Sequence, residues 1–327
     1  MRTPIRMSGI AAILGLALGT GTAEATDPTG VPLQLDVVGN DVQAPAHSDS
    51  ALLDDTNGGS ANAGGDFFSD WFARVEQAQA TQPHWMTPLV TVTPRLEQEV
   101  RYDQYWEYRG NGSQLDIFDS GKGLELIPTT TNEILINPPA YQDKLDVAHP
   151  VSGWLDDQFL VVKQRLLSAD EQSGNYIVTA FLGVTADSGS SVFTNNTWVI
   201  TPTLAGGKGW GDFDVQATSG VAIPFQNQST LGTSVATNIA FQYHLLEYFW
   251  PEFEVNDTQW LNGKERGGKN QVLLTPGLIL GRFIIHDRIK AIIGGGYQFA
   301  VAPKYVETTE QTPAYNHSAI LTARITF

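Results

Sequence analysis

From Pro88 onward the chain alternates. In Pro88 to Tyr108 the even positions are mostly apolar or aromatic (Val90, Val92, Leu96, Val100, Tyr102, Trp106, Tyr108), while the odd ones carry Arg95, Glu97, Glu99, Arg101, Asp103 and Glu107. A period of two with one apolar and one charged face predicts a β-strand between two different media. The same pattern recurs in Gly211 to Pro224, in Phe249 to Trp260 and in Gln271 to Gly281, where Leu273 and Ile279 interrupt the polar face. Weaker segments are Gly123 to Asn137, Gln158 to Ser168, Tyr176 to Thr185, Trp198 to Leu204, Leu231 to Tyr243, Ile289 to Ala300 and Ser318 to Phe327.

Connection lengths turn this repetition into an architecture. Short joins near 169–175, 206–209, 244–248 and 286–288 alternate with longer polar ones near 187–196, 226–230, 261–270 and 302–316. A membrane-spanning barrel has short turns at one end and longer loops at the other. The expected fold is therefore all-β: a transmembrane antiparallel β-barrel over 87–327. Eleven strands can be counted, whereas bacterial single-chain barrels have even numbers. The expectation is about twelve, the extra one coming from a split of Pro88 to Tyr108, from Phe67 to His84, or from between Arg109 and Leu155.

The N-terminal quarter reads differently. Arg2 and Arg6, the uncharged stretch Met7 to Gly19 and Ala23-Glu24-Ala25 match a secretory signal peptide over 1–25, with cleavage expected after Ala25. Residues 26–65 are rich in Asp, Gly, Ser, Asn and Ala, a composition that predicts a disordered linker. Within 66–86, Phe67, Phe68, Trp71, Phe72 and Val75 have helix-like spacing and predict a short amphipathic segment at the membrane surface or in the barrel mouth. A signal peptide, alternation and a last strand ending on Phe327 together suggest the outer membrane, with Phe327 as the barrel-assembly signal.

Charge and composition exclude more than they add. There is no cysteine, so neither disulfides nor thiolate metal sites can form. Formal charge is −16, and loss of Arg2, Arg6 and Glu24 leaves −17. That balance disfavours a nucleic-acid partner. No GxSxG or HExxH motif occurs. His244 is ten residues from Ser234 along one strand, roughly 33 Å, and His317 and Ser318 point to opposite faces. An enzyme is not expected, and neither is a cofactor or bound metal. The expected lumen lining is Glu97, Glu99, Arg101, Asp103, Lys163, Arg165, Glu252, Glu254 and Arg324, facing water as a mixed ion-pair network with a weak cation preference. Expected partners are outer-membrane lipid, the barrel-assembly machinery and a small-molecule solute.

The stretches GKGLELIP (121–128), NYIVTAFLGV (175–184), TPTLAGGKGWGDFDVQ (201–216) and the run Tyr248 to Phe283 resemble the outer-membrane transporters grouped with the meta-pathway phenol-degradation proteins. The resemblance covers roughly Met86 to Phe327 and implies a barrel for uptake of small organic, including aromatic, compounds. It transfers no catalytic residue. Two other functions fit a barrel: an outer-membrane enzyme acting on lipid or peptide, and a plugged barrel serving as an anchor.

Overall fold

The computed structural model describes residues 70–119, 123–145, 150–264, 266–302 and 315–327. The expected signal peptide with Ala25, and the expected linker, lie outside these residues. Among the described residues fifteen strands form one antiparallel sheet. They are β1 (Glu99–Tyr108), β2 (Gln114–Phe118), β3 (Gly123–Thr129), β4 (Asn132–Ile136), β5 (Tyr141–Leu145), β6 (Val151–Trp154), β7 (Gln158–Ala169) and β8 (Tyr176–Thr185), followed by β9 (Val199–Trp210), β10 (Phe213–Pro224), β11 (Ser234–Tyr243), β12 (Phe249–Trp260), β13 (Lys269–His286), β14 (Ile289–Ala302) and β15 (His317–Thr326).

β1 pairs with β15 from Glu99 opposite Thr326 to Tyr108 opposite His317, which closes the sheet. Three staves are each broken in two. β1 pairs with β2 along its upper half and with β3 below; β5 pairs with β2 and β6, and β4 with β3 and β7. Counting β2/β3, β4/β5 and β6/β7 as single staves gives a closed barrel of twelve. The stave missing from the count of eleven lies between Arg109 and Leu155. Gly123 to Asn137 reads as one strand but is two, β3 and β4, turning at Thr130 and Thr131.

Both ends of the barrel wall, Glu99 and Thr326, meet at one rim. The joins there are short: 130–131, 170–175, 211–212, 244–248 and 287–288. Two expectations are corrected. The turn expected at 206–209 is Gly211-Asp212, where Trp210 pairs directly with Phe213. Gly211 has φ +61, as the first position of a tight primed turn demands. Residues 206–209 instead continue β9, for a reason given below. The strand expected from Pro88 begins only at Glu99.

The outer face is what a bilayer requires. Val100, Leu182, Leu204, Phe253, Leu278, Ile293 and Leu321 are exposed on outward positions of their strands. Aromatic residues mark the rims, with Tyr176, Trp210, Phe213, Tyr243 and Phe249 at the short-turn end and Trp198, Phe225, Tyr297 and Phe299 at the other. Trp198, just before β9, and Trp210 at its end are 49% and 56% exposed and share one face. Twelve residues at about 3.3 Å each, tilted about 40°, span roughly 30 Å, close to the expected apolar band. No described helix is long and apolar enough to cross a membrane. The β1–β15 pairing closes the sheet, so among the described strands only the short β6 is paired on one side alone.

The intact barrel should therefore resist detergent. Unboiled protein is expected to migrate faster than boiled protein in SDS gels and to show a β-type circular dichroism spectrum. Equal migration together with solubility in detergent-free buffer would contradict a membrane barrel.

Candidate functional site: a strap through the lumen

Residues 82–98 form neither helix nor strand, yet nearly all are buried. They run inside the barrel. Their alternation mimics a wall strand because an extended segment also presents two faces, but Pro88 and Pro94 cannot donate to a ladder. The strap's apolar residues meet apolar residues on the wall's inner face. Met86 and Leu89 pack with Trp250, Ile279 and Ile292. Val92 packs against the cluster of Leu135, Phe181 and Ala205. Ile279, which interrupts the polar face of β13 in the sequence, is one of these contacts.

The wall has removed its own side chains where the strap needs room. A Cβ on Gly207 would strike the Trp85 ring, and one on Gly209 would strike both the Trp85 indole nitrogen and the Asn175 amide. Cβ atoms on Gly277 and Gly296 would both run into Leu89 Cδ1. These glycines face inward on β9, β13 and β14, so 206–209 is a strand with a socket and not a turn.

Charged and polar wall groups bind the strap's main chain. Glu252 Oε1 accepts from Leu89 N–H at 3.0 Å, and Glu254 accepts from Val90 N–H at 2.7 Å and Thr91 N–H at 2.6 Å. From another side Arg324 donates to Thr87 O at 2.5 Å and Pro88 O at 2.9 Å, while Arg101 donates to Leu89 O at 2.6 Å. Gln216 Nε2 donates to Met86 O at 2.8 Å and Arg282 to Trp85 O at 2.7 Å. Toward the strap's end Lys163 Nζ donates to Arg95 O at 2.9 Å and Glu133 accepts from Glu97 N–H at 2.6 Å. These groups come from β1, β4, β7, β10, β12, β13 and β15.

Ion pairs fill the rest: Arg101–Asp103 at 2.8 Å, Arg95–Glu97 at 3.0 Å and Lys163–Glu133 at 2.7 Å, all with nearly fully buried side chains. Of the nine residues expected to line the lumen, Glu99, Arg101, Asp103, Lys163, Glu252, Glu254 and Arg324 lie buried on wall strands. Glu97 sits at the end of the strap, where it also accepts from the Thr87 hydroxyl at 2.9 Å. Arg165 is half-buried and faces a helix end instead, donating to Ala78 O at 2.8 Å and to Thr130 O at 2.6 Å. One part of the expectation is overturned. Glu252 and Glu254 do not face water: they are 6% and 0% exposed, because the strap's N–H groups have replaced it. Neutralising them would disturb packing as well as any ion selectivity.

The helix is α1 (Trp71–Ala80), within the segment expected to be amphipathic. Its Val75 and Ala78 pack with Leu96 and the inward Ile127. Ser168 bonds the Thr81 carbonyl at 2.6 Å, and Arg288 lies 4.1 Å over the Phe72 ring and 3.5 Å from Glu76. Since 130 and 288 belong to short turns, α1 sits at the short-turn mouth. There Glu171 accepts from the His84 backbone N–H and ring. Burial raises the Glu171 carboxyl, but those bonds outweigh it and hold the group below the usual carboxylate range.

At the other end, residues 186–198 fold inward. Phe193 is buried with Leu115, Ile117 and Ala140, and Asp156 accepts from Gly189 N–H and Asn195 N–H, both at 2.9 Å. Beside the strap a cavity of about 220 Å³ touches Val92, Leu135, Phe181, Thr201 and Thr203. That is below the range of a typical ligand pocket. The two histidines weighed as catalytic have other company: His244 stacks on Trp250 at 4.0 Å, and His317 bonds the Tyr297 hydroxyl at 2.8 Å. Neither is bonded to a serine among the described residues.

Fold and site together define a membrane-type β-barrel of twelve staves, closed from within by its own chain. No protein-family model matches the sequence, and no curated protein matches it either. Similar solved structures include an outer membrane channel from Pseudomonas putida F1, with 14% identity, 70% of this chain and 94% of that one covered, and a TM-score of 0.48. The NanC porin is 10% identical over 69% of this chain and 98% of its own, with a TM-score of 0.42. The KdgM porin in complex with disordered oligogalacturonate is 10% identical over 70% and 99%, with a TM-score of 0.38.

The socket makes a double-mutant test. Gly207→Ala should cost about 1–3 kcal/mol by overpacking against the rigid Trp85 ring, and Trp85→Ala about 3–5 kcal/mol. Combined, the two should cost clearly less than their sum, since the second removes what the first strikes. Additive losses in denaturant unfolding would show that Trp85 is not seated there.

Proposed function

We propose that the chain is an outer-membrane channel for passive uptake of small organic solutes, held closed by the strap. The observation that carries this reading is where the closure comes from. A barrel serving only as an anchor can fill its lumen with wall side chains, as narrow barrels do. Here the inner wall has inward glycines at 207, 209, 277 and 296, and the filling comes from a segment joined to the wall at one end and to α1 at the other. If the strap shifts, the space it leaves is open.

The apolar outer band and aromatic rims support membrane insertion. On this reading residues 1–25 would direct export, Phe327 would present the assembly signal, and outer-membrane lipid would cover the band. The resemblance to transporters of phenol-degradation systems favours solutes that include small aromatics. The buried wall charges would line the pore once the strap has moved, where they would bias ion passage.

Planar-bilayer recording tests this directly. The unmodified protein should show rare openings, and Trp85→Ala combined with Leu89→Ala should raise open probability by at least about tenfold, since each 1.4 kcal/mol of lost seating is a factor of ten. A folded double variant that stays as silent as the parent would move the reading to a permanently plugged anchor.

A further inference from the structure

We propose that the lumen is a binding site for extended polypeptide, read through its main chain, and that the strap Trp85 to Arg95 occupies it as an exchangeable internal ligand. The bonds are the first reason. Glu252 and Glu254 take the N–H groups of three successive residues, 89 to 91, and Arg101 and Arg324 take the carbonyls of 87 to 89. Carboxylates on one wall and guanidinium groups on another imitate the two neighbours of a strand in a sheet. Such contacts recognise any extended peptide, as in strand addition, and leave specificity to side-chain pockets.

The pockets are the second reason, and there are two. Gly207 and Gly209 leave a slot for an aromatic ring at 85, and Gly277 with Gly296 leaves a hole for an aliphatic side chain at 89. Four extended residues separate them, about 13 Å. Between Trp85 and Pro94 the strap carries no charge, although the wall around it buries several charged groups beside its apolar patches. The wall's charges are thus used mainly on the ligand's backbone, with Glu254 also accepting from the Thr91 hydroxyl. The chemistry selects an uncharged extended peptide with an aromatic residue followed, four positions later, by an aliphatic one.

The test uses the full-length Trp85→Ala/Leu89→Ala protein in detergent and a fluorescent peptide with the sequence of residues 84–96. Saturable one-to-one binding is expected, about tenfold weaker to the parent protein, whose own strap competes. Methylating the peptide nitrogens at positions 89 and 91 should weaken binding at least about tenfold, because it removes two donors without changing any side chain. No binding to the folded variant, or equal binding of the methylated peptide, would overturn the proposal. Should the variant fail to give a heat-modifiable band, the parent chain is refolded in excess labelled peptide. Retention of one peptide per barrel supports the proposal, and recovery of label-free barrels overturns it. Because binding is read without current, the channel reading and this one can fail separately.

Discussion

The structure depends on how a charged lumen is satisfied. A carboxylate or guanidinium removed from water is costly unless it is paired or hydrogen-bonded. This wall buries Glu99, Arg101, Asp103, Glu252, Glu254 and Arg324 at nearly zero exposure. A wide pore would keep such groups wet. Here a stretch of main chain stands in for water, offering N–H donors to the carboxylates and carbonyl acceptors to the arginines. Charge-assisted bonds of this kind are worth roughly 1.5–3 kcal/mol each. The strap and the charged wall therefore stabilise each other, and neither is comfortable alone.

That mutual need explains the rest of the interior. Residues 87–89 are flanked by donors and acceptors, so the strap must be extended there, which Pro88 assists by fixing its φ and removing an N–H that no carboxylate would meet. An extended strap crossing a twelve-stave lumen needs clearance, and inward glycines supply it at Trp85 and Leu89. The small apolar patches of Ile279, Ile292 and Phe181 match the strap's apolar residues and would be misplaced in an empty aqueous channel. At the short-turn mouth α1 holds the strap's beginning through the Arg165 and Ser168 bonds. The inward fold of 186–198 narrows the opposite half.

Much of the barrel was legible in the sequence. Strands such as β10, β12 and β15 bury one face in the lumen and show the other to lipid, so period two appears without ambiguity. The short-turn end was legible except at Thr130-Thr131, hidden inside one expected strand, and at Gly206-Gly207-Lys208-Gly209, where glycines that look like a turn serve clearance inside β9. Broken staves hid the twelfth strand, because β3 and β4 are short and joined by two residues that are not turn formers of the glycine kind. Parity singles out Glu99, Arg101, Asp103, Glu252, Glu254 and Arg324, which lie buried on wall strands, but it does not show that Glu97 belongs to the strap or that Arg165 faces the end of α1. Their partner was not legible. Alternation runs unbroken from the strap into β1, and the local pattern cannot tell an extended segment paired in a sheet from one bound by side chains. Two prolines and an apolar residue on the wrong face of β13 were the available signals.

Amide hydrogen exchange of the folded protein in detergent is the most direct measurement of the central claim. If the wall's charges hold the strap's main chain, the N–H groups of Leu89, Val90 and Thr91 exchange as slowly as those of the neighbouring wall strands, and replacing Glu254 by Gln accelerates Val90 and Thr91, which donate to it, more than Leu89, which donates to Glu252. Exchange of residues 89–91 in the parent protein at the rate of an exposed loop would contradict the account.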